Sequence, residues 1–220
     1  MNIAIDGPAG AGKSSAARGV AKALGALYVD TGAMYRAMGL YFLRNGVAPD
    51  DTERIARDCT QVEIGLKYVN GEQRIFLGQE DVSDEIRTEE VGNMASAVSV
   101  CPAVRTRLVE MQQEIARKNT VVMDGRDIGT VVLPDAEVKI YLTASVRVRA
   151  ERRQGELAAK GEMRPIEEIE AEISERDYRD MHRETSPLKQ ADDAVLLDSS
   201  EMDREQVVER ILEIARAREA

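Results

Sequence analysis

An α/β fold, with a five-stranded parallel sheet and helices on both faces, is predicted by three observations on this sequence. Five short apolar segments recur along the 220 residues, each followed by a stretch able to form a helix. The first segment runs into its helix through a glycine-rich turn, Gly7-Pro8-Ala9-Gly10-Ala11-Gly12-Lys13-Ser14. One stretch of apolar–polar alternation, between residues 62 and 77, breaks the βα rhythm and predicts a small antiparallel β insert.

The elements can be justified in order. Asn2-Ile3-Ala4-Ile5 is apolar and partly β-branched, so it reads as a buried strand. Ser15 to Leu24 is Ala-rich and reads as a helix. Ala26 to Val29 is the second strand, and Asp30-Thr31-Gly32-Ala33-Met34-Tyr35-Arg36 opens the helix after it. Val62, Ile64, Leu66 and Tyr68 alternate with polar residues, Asn70-Gly71 supplies a tight turn, and Gln73 to Leu77 resumes the extended run. Thr88 caps the next helix, with Glu89 and Glu90 in its first turn. Thr120 to Met123, Val138 to Leu142 and Ala194 to Leu197 complete the sheet. Val207, Val208, Ile211, Leu212 and Ala215 recur at helical spacing in the last helix.

These elements predict a single domain over 1–220. Its core is expected at about 1–58, 115–146 and 190–220, the insert at about 59–95, and a helical lid at about 147–165. The lid reading rests on two Arg-rich segments, Arg149/Arg152/Arg153 and Arg176/Arg183, separated by Gly161 and Pro165.

The glycine-rich turn matches G-x-x-x-x-G-K-[ST], a phosphate-binding loop. At average residue usage, a chance match in such a chain is roughly one in a hundred, and the strand and helix flanking it are the context the motif needs. Glycines let the backbone approach phosphate oxygens, and the helix start adds its positive dipole end. Gly7 to Ser15 therefore form the expected ATP-binding segment, with Lys13 on the β- and γ-phosphates and the Ser14 hydroxyl on Mg²⁺. Asp124, at the end of a strand, is the expected second Mg²⁺ ligand.

Composition narrows the partners. The net charge of −10 argues against a nucleic-acid polymer, because phosphate backbones need a basic surface. An acidic protein that binds nucleotides must instead concentrate its arginines and lysines in a cleft. Cys59 and Cys101 are the only cysteines and show no CxxC spacing, which points to a reducing cytoplasm. No signal-peptide pattern and no long apolar run is present, so no membrane partner is expected. His182 is the only histidine, which leaves little room for a His-ligated metal or a Ser-His-Asp triad.

Two further clusters carry chemistry. Asp124-Gly125-Arg126-Asp127-Ile128-Gly129 packs two acids and an arginine between glycines. Arg176, Asp180 and Arg183, spaced by four and three, share one helix face.

Together these stretches resemble the bacterial cytidylate kinases, within the nucleoside monophosphate kinase group of P-loop proteins. The resemblance runs from about residue 2 to residue 215 and also takes in Pro134-Asp135-Ala136 and Glu175-Arg176-Asp177. It implies a P-loop kinase fold and transfer of the γ-phosphoryl group of ATP to CMP or dCMP, with Mg²⁺. It further implies Thr31, Ser96, Arg105, Asp127 and Arg183 around the cytosine, with Tyr35 in the same substrate-binding stretch as Thr31. Arg176 and Asp180 are implied at the sugar, and Arg36 and Arg126 near the acceptor phosphate. Lys13, Arg126 and the lid residues Arg152 and Arg153 make up the implied catalytic set. The family often has Ser where this chain has Thr31, and the hydroxyl is retained. The small molecules CMP and dCMP are the expected partners, and the chain is expected to act as a cytoplasmic monomer.

Two other readings stay open at this stage. One is a small-molecule kinase on the same scaffold with a different acceptor. The other is a nucleotide-dependent switch, against which stands the lack of an Asn-Lys-x-Asp guanine-reading motif.

Overall fold

The computed structural model describes residues 1–69, 72–159 and 161–219. The expected Asn70-Gly71 turn lies outside the described residues. The chain divides into two compact units: Met1–Tyr28 with Asn119–Ala220, and Val29–Lys118.

The first unit carries the parallel sheet. Its strands are β1 (Ile3–Asp6), β2 (Leu27–Asp30, which runs on into the second unit), β6 (Val121–Gly125), β7 (Val138–Thr143) and β8 (Val195–Asp198), in the order β2-β6-β1-β7-β8. Ile3 pairs with Val122 on one side and Val138 on the other, both in parallel. That central place buries all four residues of β1, which is why it reads as an unbroken apolar run before Asp6. Helix α1 (Lys13–Leu24) and the last helix, α8 (Arg204–Glu219), pack against each other. Ala16, Ala17 and Val20 of α1 meet Val207, Ile211 and Leu212 of α8 over the apolar side chains of β1, β6 and β7. Helices α6 (Val146–Ala158) and α7 (Ile166–His182) pack together on Ala150, Leu157 and Ile169. Ser145 caps α6 by accepting the Val148 N–H. A single π turn, Ile128–Val132, follows β6.

The second unit has its own core. Helix α2 (Thr31–Arg44) presents Met34, Met38 and Phe42 at spacings of four, all fully buried. It packs on α4 (Glu89–Val98) through Val91, Met94 and Val98. Each such side chain contributes about 1.5–3 kcal/mol by leaving water. The remaining helices are α3 (Thr52–Asp58) and α5 (Pro102–Lys118). The alternating segment forms β3 (Ile64–Val69) and β4 (Glu72–Leu77), paired antiparallel as expected. A two-residue third strand, β5 (Glu80–Asp81), extends it into a three-stranded sheet. Thr88 caps α4 through its hydroxyl on the Val91 N–H, also as expected.

Candidate functional site

The first unit assembles the phosphate side. Gly7 has φ +148°, and a Cβ there would lie 1.9 Å from the Leu142 carbonyl oxygen, so only glycine fits between the loop and β7. Gly12, at φ +87°, is the N-cap of α1 and offers no capping side chain. The first-turn N–H groups are thus left to an anion, with the helix dipole behind them.

Lys13 is buried, and its ammonium donates to the Pro8 carbonyl at 2.7 Å, folding back over its own loop. Burial, and next the positive charge of Arg126, push its pKa well below the usual lysine range, while Asp124 and Asp6 pull it partly back. A triphosphate would supply the negative charge that this ammonium lacks.

Asp124 ends β6 and is buried. It accepts hydrogen bonds from the Ser14 hydroxyl at 2.8 Å and the Tyr28 hydroxyl at 2.9 Å. Hydroxyl and carboxylate are hard oxygen donors suited to Mg²⁺. Among the described residues no group of three or more His, Cys, Asp and Glu converges to hold a metal. The Ser14 hydroxyl and the Asp124 carboxylate fit an ion completed by phosphate oxygens and water, the usual habit of Mg²⁺.

Arg126 follows directly. Its Nε donates to Asp180 Oδ2 at 2.8 Å, and its Nη1 to the Gly125 carbonyl at 3.2 Å. Burial works against an ionised Asp180, yet the charge and hydrogen bond of Arg126, with the charges of Arg176 and Arg183, hold its pKa below the ordinary value. Arg176 also bears on Lys13. Asp127 is buried, and its carbonyl accepts the N–H groups of Val131 and Val132 in the π turn. Arg126, Asp127, Arg176, Asp180 and Arg183 thus all belong to this unit. Arg183 lies one residue past α7, where its Nε donates to the Ser186 carbonyl at 2.7 Å.

The arginines of α6 divide. Arg152 donates to the Ser199 carbonyl at 2.8 Å, and its Nη1 lies 3.9 Å from where a Cβ on Gly12 would be. Arg153 pairs with Glu156 at 3.3 Å on the exposed side of the helix. Arg149 does what the sequence reading did not assign to it. Only 3% exposed, it donates to the Ala9 carbonyl of the loop at 3.0 Å, to Ala144 at 2.9 Å and to Asp177 at 2.6 Å. It braces the phosphate loop at Ala9 and Gly10. Tyr28 and Ser199 were likewise missed, because a tyrosine in a strand and a serine after one carry no motif.

The second unit holds the other expected residues. Asp30 caps α2, accepting the Ala33 N–H at 2.9 Å. Its other oxygen takes Arg87 at 3.2 Å, and its own N–H donates to Gln73 Oε1 of β4 at 2.9 Å. Thr31 is buried in the first turn. Arg36 Nη1 donates to the carbonyls of Ile86 and Thr88 at 3.1 and 3.3 Å. Arg105 stacks over the Tyr35 ring at 5.5 Å and donates to the Ser99 carbonyl at 3.0 Å. The Ser99 hydroxyl in turn donates to the Ser96 carbonyl at 2.8 Å. Tyr35, Ser96 and Arg105 are therefore linked, with Thr31 one helical turn before Tyr35.

The family model for cytidylate kinase matches residues 3–217. The chain belongs to the cytidylate kinase family. A cytidylate kinase of Caldicellulosiruptor bescii is 49% identical over 214 residues, covering 97% of this chain and 95% of the relative. One from Streptococcus pneumoniae is 50% identical over 212 residues, covering 96% and 95%. Among solved structures, an uncharacterised protein from Eubacterium ventriosum is 11% identical with a TM-score of 0.54, covering 98% of both chains, a likeness of fold alone. The phosphate loop, Asp124, Arg126, Asp127 and the α7 arginines all fall inside the span that the cytidylate kinase family shares.

Proposed function

We propose that this chain transfers the γ-phosphoryl group of ATP to CMP or dCMP, giving ADP and CDP or dCDP. The observation that carries this reading is the near-full-length match to cytidylate kinases at about half identity. The assembled phosphate loop, with Lys13 inside it and Asp124 bonded to Ser14, supports it independently.

The chemistry needs little from the protein beyond position and charge. The acceptor is already a phosphate with a second pKa near 6, so its oxygen is nucleophilic at neutral pH without a general base. A His or Asp base is therefore not required, in keeping with a chain that has one histidine. Lys13 and Arg126 would hold the two anions close and offset charge developing on the transferring group, joined by Arg152 and, in this reading, Arg153. Ser14 and Asp124 would hold Mg²⁺, which when bound neutralises phosphate charge. Asp127, with Arg183, Arg105, Thr31 and Ser96, would read the cytosine edge. Cytosine offers an amine donor beside acceptors, and uracil reverses that pattern, so a buried carboxylate favours CMP over UMP. Arg176 and Asp180 would bind the sugar, and Arg36 the acceptor phosphate. Residues 147–165 would act as a lid that keeps water from the donor. The unpaired thiols Cys59 and Cys101 support a reducing cytoplasm as its compartment, and we take the working unit to be a monomer.

A coupled assay of ADP release with ATP-Mg²⁺ and a panel of acceptors tests the reading. Turnover should depend on CMP or dCMP. Better use of AMP, UMP or a small alcohol would overturn the acceptor assignment, and acceptor-independent hydrolysis would overturn kinase activity itself.

A further inference from the structure

The side chain of Asp6 lies outside every role assigned above. It ends β1, directly before Gly7, and is buried. Its Oδ1 accepts the N–H of Ile128 at 2.8 Å and its Oδ2 the N–H of Gly129 at 2.7 Å. These two donors open the π turn, where no intrahelical carbonyl is available and Asp127 provides no side-chain cap. One carboxylate, from a residue more than a hundred positions upstream, thus serves as the cap of this turn.

The consequence lies in the two residues just before it. Arg126 and Asp127 leave the end of β6, and the chain after them is clamped to the strand that starts the phosphate loop. Gly129 is tightly held: a Cβ there would stand 3.2 Å from Lys139 Cδ and 3.4 Å from Asp6 Oδ2. Lys139 cannot easily yield, since its ammonium is fixed by Asp193 and the Pro134 carbonyl. We propose that Asp6 is a positioning residue for the acceptor: by gripping Ile128 and Gly129 it sets Asp127 and Arg126 at the register that CMP requires.

This inference rests on the CMP kinase reading. Asp6→Asn is the direct test. An amide can accept one of the two N–H groups but sets its own NH₂ against the other. Gly129→Ala disturbs the same junction from the far side while leaving the Asp6 charge in place. It keeps the proposal testable if Asp6→Asn folds poorly, and it separates positioning from any change in field at Lys13. Steady-state kinetics of both variants should show kcat/KM for CMP lowered about 10- to 100-fold per folded molecule. The KM for ATP should stay within about twofold. CMP kinetics unchanged in the folded variants, or a loss that falls on the KM for ATP, would overturn the positioning role while leaving wild-type CMP phosphorylation intact. Wild-type enzyme that leaves CMP unphosphorylated would overturn the underlying reading and this role with it.

Discussion

Arg126 and Asp180 form a charge-assisted hydrogen bond of 2.8 Å that ties the end of β6 to the last turn of α7. Both side chains are largely removed from water, so loss of the Asp180 charge leaves the Arg126 Nε without its carboxylate partner. Asp180→Asn should destabilise the protein by about 3 kcal/mol at neutral pH, as for other broken buried pairs. The pH dependence has a definite sign. The folded-state pKa of Asp180 lies below the ordinary value of 3.8, so the stabilisation is complete above that value and is lost as pH falls through the folded pKa. Urea unfolding of wild type and variant across pH should show their gap close in acid and stay open from pH 5 upward.

Lys13 makes a different prediction. Burial and Arg126 hold its pKa well below the lysine range. The negative charge of a triphosphate would raise it again. Binding of ATP should then be accompanied by proton uptake at pH values between the depressed pKa and the raised one. Calorimetric titrations in buffers of different ionisation enthalpy measure this directly. Lys13→Ala should abolish the uptake and most of the turnover. An uptake equal in wild type and variant would assign the proton to another group.

Much of this was legible because each strand of the sheet is a short apolar run between turn residues, as in Val138–Thr143. Strand ends slipped by one or two residues where a polar side chain continues the pairing: Asp6 pairs with Gly125, and Asp198 with Thr143. The phosphate loop was legible because its backbone demands glycine at Gly7 and Gly12. What stayed hidden depends on partners far away in sequence. The first N–H groups of the π turn at Ile128–Val132 are taken by a carboxylate from β1. Asp30, the cap of α2, is likewise held by partners far along the chain, Arg87 and Gln73. The strand Glu80–Asp81 has no apolar residue to announce it. Arg149 looked like its neighbours on α6, and only its burial beneath the loop distinguishes it.

Asp127→Ala should separate acceptor from donor. Asp127 is buried at the start of the π turn, and Lys13 and Ser14 do not depend on its side chain for their contacts with Pro8 and Asp124. Loss of the carboxylate proposed to read the cytosine amine should lower kcat/KM for CMP by about 100-fold or more, because the base would then be left without its charged partner. Affinity for ATP, measured by equilibrium titration in the absence of CMP, should change less than about threefold. An equal loss on both substrates would point to a folding defect in place of recognition.

The Ser14–Asp124–Tyr28 arrangement yields a graded metal prediction. Ser14 and Tyr28 each donate to a different oxygen of Asp124, so the carboxylate is oriented from both sides. Tyr28 orients this carboxylate through its hydroxyl. Tyr28→Phe removes one hydrogen bond, worth about 1 kcal/mol, and should raise the Mg²⁺ concentration for half-maximal activity about fivefold. Ser14→Ala removes an oxygen proposed to touch the metal as well as the bond to Asp124, and should raise it by about tenfold or more. Asp124→Asn removes the only charged oxygen of the set and should have the largest effect, since Mg²⁺ favours charged oxygen ligands. Titration of Mg²⁺ at saturating CMP and fixed ATP ranks the three variants. An unchanged Mg²⁺ requirement in both Ser14→Ala and Asp124→Asn would place the metal elsewhere.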